Sequence, residues 1–79
     1  MTRSIEEAIF EVLQAKAEGQ SIAPMEAARA ADPEGWRGRI AQVRATAVGL
    51  ARQGRLVILR KGKPVDPDGF KGVYRLRLP

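Results

Sequence analysis

Residues 36–54, WRGRIAQVRATAVGLARQG, decide how this chain folds. At 100° per residue, Ile40, Val43, Ala47 and Leu50 fall within about 40° of Trp36. This apolar seam, widened by Ala51, is the stripe of a core-facing helix. Asp32 is placed to cap the free N–H groups, and Pro33 suits a first helical position. Gly54 supplies the stop, since glycine accepts the left-handed conformation that ends many helices. The seam covers under three heptads, too short for a coiled coil with a hairpin attached.

The opposite face carries Gly38, Gln42, Ala45 and Gly49, flanked by Arg37, Arg39, Arg44 and Arg52. Small residues admit a close partner backbone, and guanidinium groups suit phosphates. The plainer reading is a solvated face whose arginine stems cover apolar edges. Each exposed helical glycine costs roughly 1 kcal/mol against alanine, which makes a reason for two of them worth seeking.

Downstream, Arg55–Leu59 reads as a strand rich in branched residues, with Leu56 and Ile58 on one face and Val57 and Leu59 on the other. Arg60-Lys61-Gly62-Lys63 opens a loop, and Pro64-Val65-Asp66-Pro67-Asp68-Gly69 brings turn chemistry. From Val73 to Leu78 apolar and basic residues alternate, giving a second strand with Tyr74, Leu76 and Leu78 on its apolar face. Phe70 is expected to fold back onto the core.

Upstream, Ser4 and Glu7 have capping-box spacing, and Ile5, Ala8, Ile9, Val12 and Leu13 follow at helical intervals up to Gly19. The acidic Glu6, Glu7, Glu11 and Glu18 make this a support helix. Ser21-Ile22-Ala23 can add a strand to the hairpin edge. Pro24 opens a second short helix, whose stripe is Met25, Ala28 and Ala31. The expected fold is α+β: a winged helix-turn-helix of three helices and a small antiparallel sheet, in the order helix, strand, helix, helix, strand, wing, strand. A single domain spans residues 1–79.

The 79 residues suffice for one small domain burying about 60% of its unfolded surface. Without cysteine or histidine there is no disulfide and no ordinary zinc site, and a reducing cytoplasm is the expected setting. No membrane span or signal peptide is read. Residues 1–35 hold three basic and seven acidic side chains, net −4, whereas residues 36–79 hold eleven basic and two acidic, net +9, together the chain's +5. Such segregation is the footprint of a phosphate-rich partner.

The chain resembles a family of small bacterial proteins catalogued only as a domain of unknown function. Trp36-Arg37, Val43-Arg44-Ala45, Ala47, Leu50-Ala51, Gly54, Lys71-Gly72 and Arg75-Leu76-Arg77 carry the similarity, together with its most distinctive piece, Arg60-Lys61-Gly62-Lys63-Pro64-Val65-Asp66-Pro67. The resemblance implies a winged helix and supplies no catalytic residue, cofactor or target. Ala23 departs from it, standing where a serine or threonine cap is expected ahead of Pro24. The missing cap costs roughly 1 kcal/mol.

Catalysis is not expected: no His or Cys serves as base or nucleophile, and the hydroxyls lack an activating neighbour. No cofactor or metal is expected either. Asp66 and Asp68 read as turn formers, and Glu26 and Glu34 as capping or solubilising charges. The leading expectation is double-stranded DNA binding dominated by the backbone, as in a transcriptional regulator. Arg37, Arg39 and Arg52 would hold phosphates, Gln42 would meet an adenine edge, and Lys61, Lys63 and Lys71 would line the wing. Arg44, at the edge of the buried stripe, is expected to pair with Asp66 and tie the wing to the helix. The alternative is a protein-interaction or homodimerisation module, motivated by the two apolar faces of Leu56–Leu59.

Overall fold

A computed structural model describes residues 4–79. Helix α1 (Ile5–Gln14) starts at Ser4, whose Oγ accepts the Glu7 backbone N–H at 3.1 Å and donates to the Glu7 carboxylate. It ends well before Gly19, because its apolar stripe runs out at Leu13. Helix α2 (Pro24–Ala31) lacks a side-chain cap at Ala23. Glu26 compensates by accepting the Ala23 backbone N–H at 2.8 Å, the half of a capping box that needs no hydroxyl.

The central segment does not begin as one α-helix. Asp32 accepts the Gly35 N–H at 2.9 Å and caps a turn, after which Trp36–Arg39 form a single 3-10 turn. Only then does α3 (Ile40–Arg52) begin. A 3-10 turn advances about 120° per residue, so Trp36 drifts from the seam and stays half-buried, while Val43, Ala47 and Leu50 remain buried. At the far end Gly54 (φ 75°) lets Arg55 N–H reach Leu50 O at 3.0 Å and Gly54 N–H reach Ala51 O at 3.0 Å. That pair of bonds is the Schellman closure of a helix.

Strand β1 (Val57–Arg60) is central in an antiparallel sheet of order β2-β1-β3, with β2 (Lys63–Pro64) and β3 (Arg75–Arg77) on its two sides. Lys61 and Gly62 (φ 53° and 79°) make a two-residue hairpin turn between β1 and β2, tighter than the loop expected there. Ile22 bridges Leu76 on the outer edge of β3 through two hydrogen bonds of 2.8 and 2.9 Å. The molecule is therefore an α+β domain of three helices and a small three-stranded sheet, an arrangement compatible with a winged helix.

Ile9, Ile22, Val43, Leu50, Ile58 and Leu76 fill the centre, one or two from each layer. Each contributes about 1.5–3 kcal/mol by leaving water. Phe70 and Tyr74 join them, meeting edge to face at 5.2 Å. On the second apolar face of β1, Leu59 is buried while Val57 stays half-buried. Leu59 is only 8% exposed, flanked across the ladder by Pro64 and Arg75. Among the described residues no helix is long and apolar enough to cross a membrane.

Candidate nucleic-acid interface

The residues after Pro64 turn back along α3. Asp66 accepts the Asp68 N–H at 2.9 Å and so folds its own turn. Asp68 receives Arg52 from the end of α3, with Nε at 2.7 Å. Further along, Arg44 Nη2 donates to the Phe70 carbonyl at 2.7 Å, its guanidinium 3.9 Å from the Phe70 ring and 5.8 Å from that of Tyr74. The expected Arg44–Asp66 pair is thus corrected. Arg44 does tie the loop to the helix, through a backbone carbonyl and two aromatic faces, while Asp66 is occupied by its own turn. Arg60 fastens the return by donating to the Lys71 and Val73 carbonyls.

The other expected phosphate contacts divide into two groups. Arg39 is engaged, 3.4 Å from Asp32 and 3.0 Å from the Gln42 amide oxygen, which leaves Gln42 with its NH2 donors free. Arg52 is occupied by Asp68, although both side chains stay more than half exposed. Arg37 lies over the Trp36 ring at 4.6 Å and makes no hydrogen bond or ion pair among the described residues. The side chains of Lys61, Lys63 and Lys71 are exposed and likewise without hydrogen-bond or ion-pair partners among the described residues. There is open space beside Gly49 of α3 and beside Gly38 of the 3-10 turn before it: a methyl group at either would meet nothing within 4 Å.

Among the described residues, titration is perturbed at Asp32, Glu26 and Tyr74. The Gly35 N–H, helped by Arg39, holds the Asp32 carboxyl below its usual range. The Ala23 N–H, helped by Lys16 at 3.2 Å, does the same for Glu26. Burial pushes the Tyr74 hydroxyl up, against the pull of Arg44, and that hydroxyl is buried without a partner. Among the described residues no group of three or more acids gathers to hold a metal ion.

An apolar cleft separates the start of α2 from the returning loop, lined by Ala23, Pro24, Met25, Ile40, Gly72, Val73 and Tyr74. Met25 is 37% and Val73 86% exposed at its rim. Sequence reasoning missed Arg29, whose guanidinium lies 4.5 Å from the Trp36 ring centroid. Its signal was available: Arg29 is the one basic residue of α2, seven positions ahead of Trp36.

No curated protein matches this chain. A family model described as a protein of unknown function (DUF3253) matches residues 2–79, and the chain belongs to that family.

Proposed function

We propose that this domain is a winged helix that binds double-stranded DNA through its backbone, with Lys61, Lys63 and Lys71 of the wing as the principal phosphate contacts. The observation that carries this reading is the contrast among the cations. Most arginines beyond Trp36 are held by internal acceptors, whereas the side chains of these three lysines are exposed and unpaired among the described residues. An ammonium group serves a phosphate as a point charge without fixing base identity, so the binding is sequence-tolerant. The open face of α3 would lie against the duplex, with the Gln42 NH2 donors as its one reader of base edges. The longest dimension, 33 Å, limits one copy to about one helical turn of B-DNA.

Fluorescence anisotropy of a short labelled duplex across a salt series tests this. Affinity should fall steeply with salt, and replacing all three lysines by glutamine should flatten the slope of log K against log salt by about 0.9 per lost contact. Wild-type protein that shows no binding at low salt ends the proposal, as does a triple variant with an unchanged slope.

A second reading, protein interaction or homodimerisation, is favoured by the exposed Val73 and Met25 at the apolar cleft. On the strand face that first motivated it, Leu59 is buried and Val57 half-buried. Sedimentation over a concentration series discriminates: a monomer throughout removes the homodimer.

A further inference from the structure

Trp36 stands in the 3-10 turn between the end of α2 and the start of α3. Arg29 and Arg37 both lie against its ring, at 4.5 and 4.6 Å from the centroid. Their guanidinium carbons are therefore within about 9 Å of each other, on the order of one screening length in 0.1 M salt. Every other arginine among the described residues has at least one hydrogen bond to a carboxylate, carbonyl, amide or hydroxyl oxygen. Arg29 and Arg37 have none, and Glu34 pairs with neither. A contact through the ring's π face leaves guanidinium N–H donors unused.

From these observations, and resting on the DNA reading above, we infer that Arg29 and Arg37, presented by Trp36, form a second site for the phosphodiester backbone. Two like charges gathered on one indole repel each other, and an anion between or beside them relieves that repulsion. The guanidinium fork matches phosphate oxygens in a way a lysine does not. Arg29 lies one helical turn beyond Met25 on α2, and Met25 shares the apolar cleft with Ile40 and Val73. Lys71 is two residues from Val73. Arg29 and Lys71 are thus each a few residues along the chain from the lining of one apolar cleft.

Trp36 is the only tryptophan, so its emission reports on this site alone. Titrating the full chain with a short labelled duplex gives anisotropy and Trp36 emission from one sample. The expected result is an emission change that tracks anisotropy. The Arg29→Gln/Arg37→Gln variant should lose about 1.8 from the salt slope, about 0.9 per contact. Arg29→Lys, which keeps the charge, should hold the wild-type slope, an outcome that a purely structural stack does not require. If the double variant fails to fold by circular dichroism, Arg29→Gln alone is read for a loss of about 0.9. Binding by anisotropy with flat Trp36 emission and an unchanged slope in the variants overturns this site and leaves the wing reading standing. No binding by the wild type at low salt overturns both.

Discussion

The hairpin turn at Lys61-Gly62 and the loop from Val65 to Tyr74 follow one another in the chain and meet opposite fates. The loop is fastened by Arg52 to Asp68, by Arg44 to the Phe70 carbonyl, and by Arg60 to the Lys71 and Val73 carbonyls. The turn is held only by its ladder bonds and its left-handed backbone, and its lysines touch no acceptor among the described residues. Much of the +9 in residues 36–79 therefore belongs to the fold, and less is free for a partner than the count suggests. Which cations are free is decided by geometry, through the acceptors within reach.

The comparison breaks first at Arg44. Its bond to the Phe70 carbonyl is charge-assisted, and its guanidinium covers two rings. Such a bond contributes about 1.5–3 kcal/mol, and the half-buried stack about 0.5–1 more. Arg44→Ala should destabilise the domain by about 2–4 kcal/mol, lowering Tm by roughly 4–8 °C per kcal/mol. An unchanged Tm would show that the loop does not depend on this anchor. Gly62→Ala probes the other side of the comparison. A β-carbon at φ 79° costs about 1–2 kcal/mol. Urea unfolding should register that loss, and Gly62→Asn, which tolerates the left-handed region, should recover part of it. Equal stability of both variants would mean that the turn readjusts freely.

How much of this was legible beforehand follows the same division. Val43, Ala47 and Leu50 announce themselves because a helix repeats every 3.6 residues and buries one stripe. Ile22 on the edge of β3, the stop at Gly54 and the inward fate of Phe70 were legible from local chemistry. The partner of Arg44 was not, since composition points a buried arginine towards a carboxylate, and a backbone carbonyl carries no letter in the sequence. The same holds for Arg60 and its two carbonyls. The 3-10 entry to α3 was hidden because the turn capped by Asp32 runs on to Gly35, leaving the α-helix proper to start at Ile40. Arg29 was overlooked because it sits in the acidic half, and its neighbour Trp36 is brought close only by the turn between α2 and α3.

Acid should weaken the support side of the molecule, where two carboxylates are stabilised by backbone N–H groups. Glu26 and Asp32 have folded-state pKa values below their unfolded ones, for reasons that begin with the Ala23 and Gly35 N–H groups. Their stabilisation is complete above the unfolded values, about 4.3 and 3.9, and disappears as pH falls through the lower folded values. Tm should thus drop as the solution is taken below about pH 4. Glu26→Gln, which gives up that carboxylate beforehand, should start about 1 kcal/mol less stable and lose less on acidification. If wild type and variant decline in parallel, the Ala23 cap is not what acid removes.

The smallest effect on stability, and the sharpest on the comparison, belongs to Asp68. Its pair with Arg52 is more than half exposed on both sides, and exposed pairs contribute about 0–1 kcal/mol. Asp68→Asn should lower Tm by no more than about 4–8 °C. Yet it removes the only carboxylate bound to Arg52 among the described residues, and so moves that arginine from the fastened group to the free one. If tethering is what withholds the arginines from the duplex, the variant should bind more tightly at low salt, with a salt slope steeper by about 0.9. Restoring the slope with Arg52→Gln on the same background would assign the gain to that side chain. A variant that binds like wild type would place Arg52 beyond reach of the backbone, tethered or not, and confine the interface to the wing lysines and the cluster at Trp36.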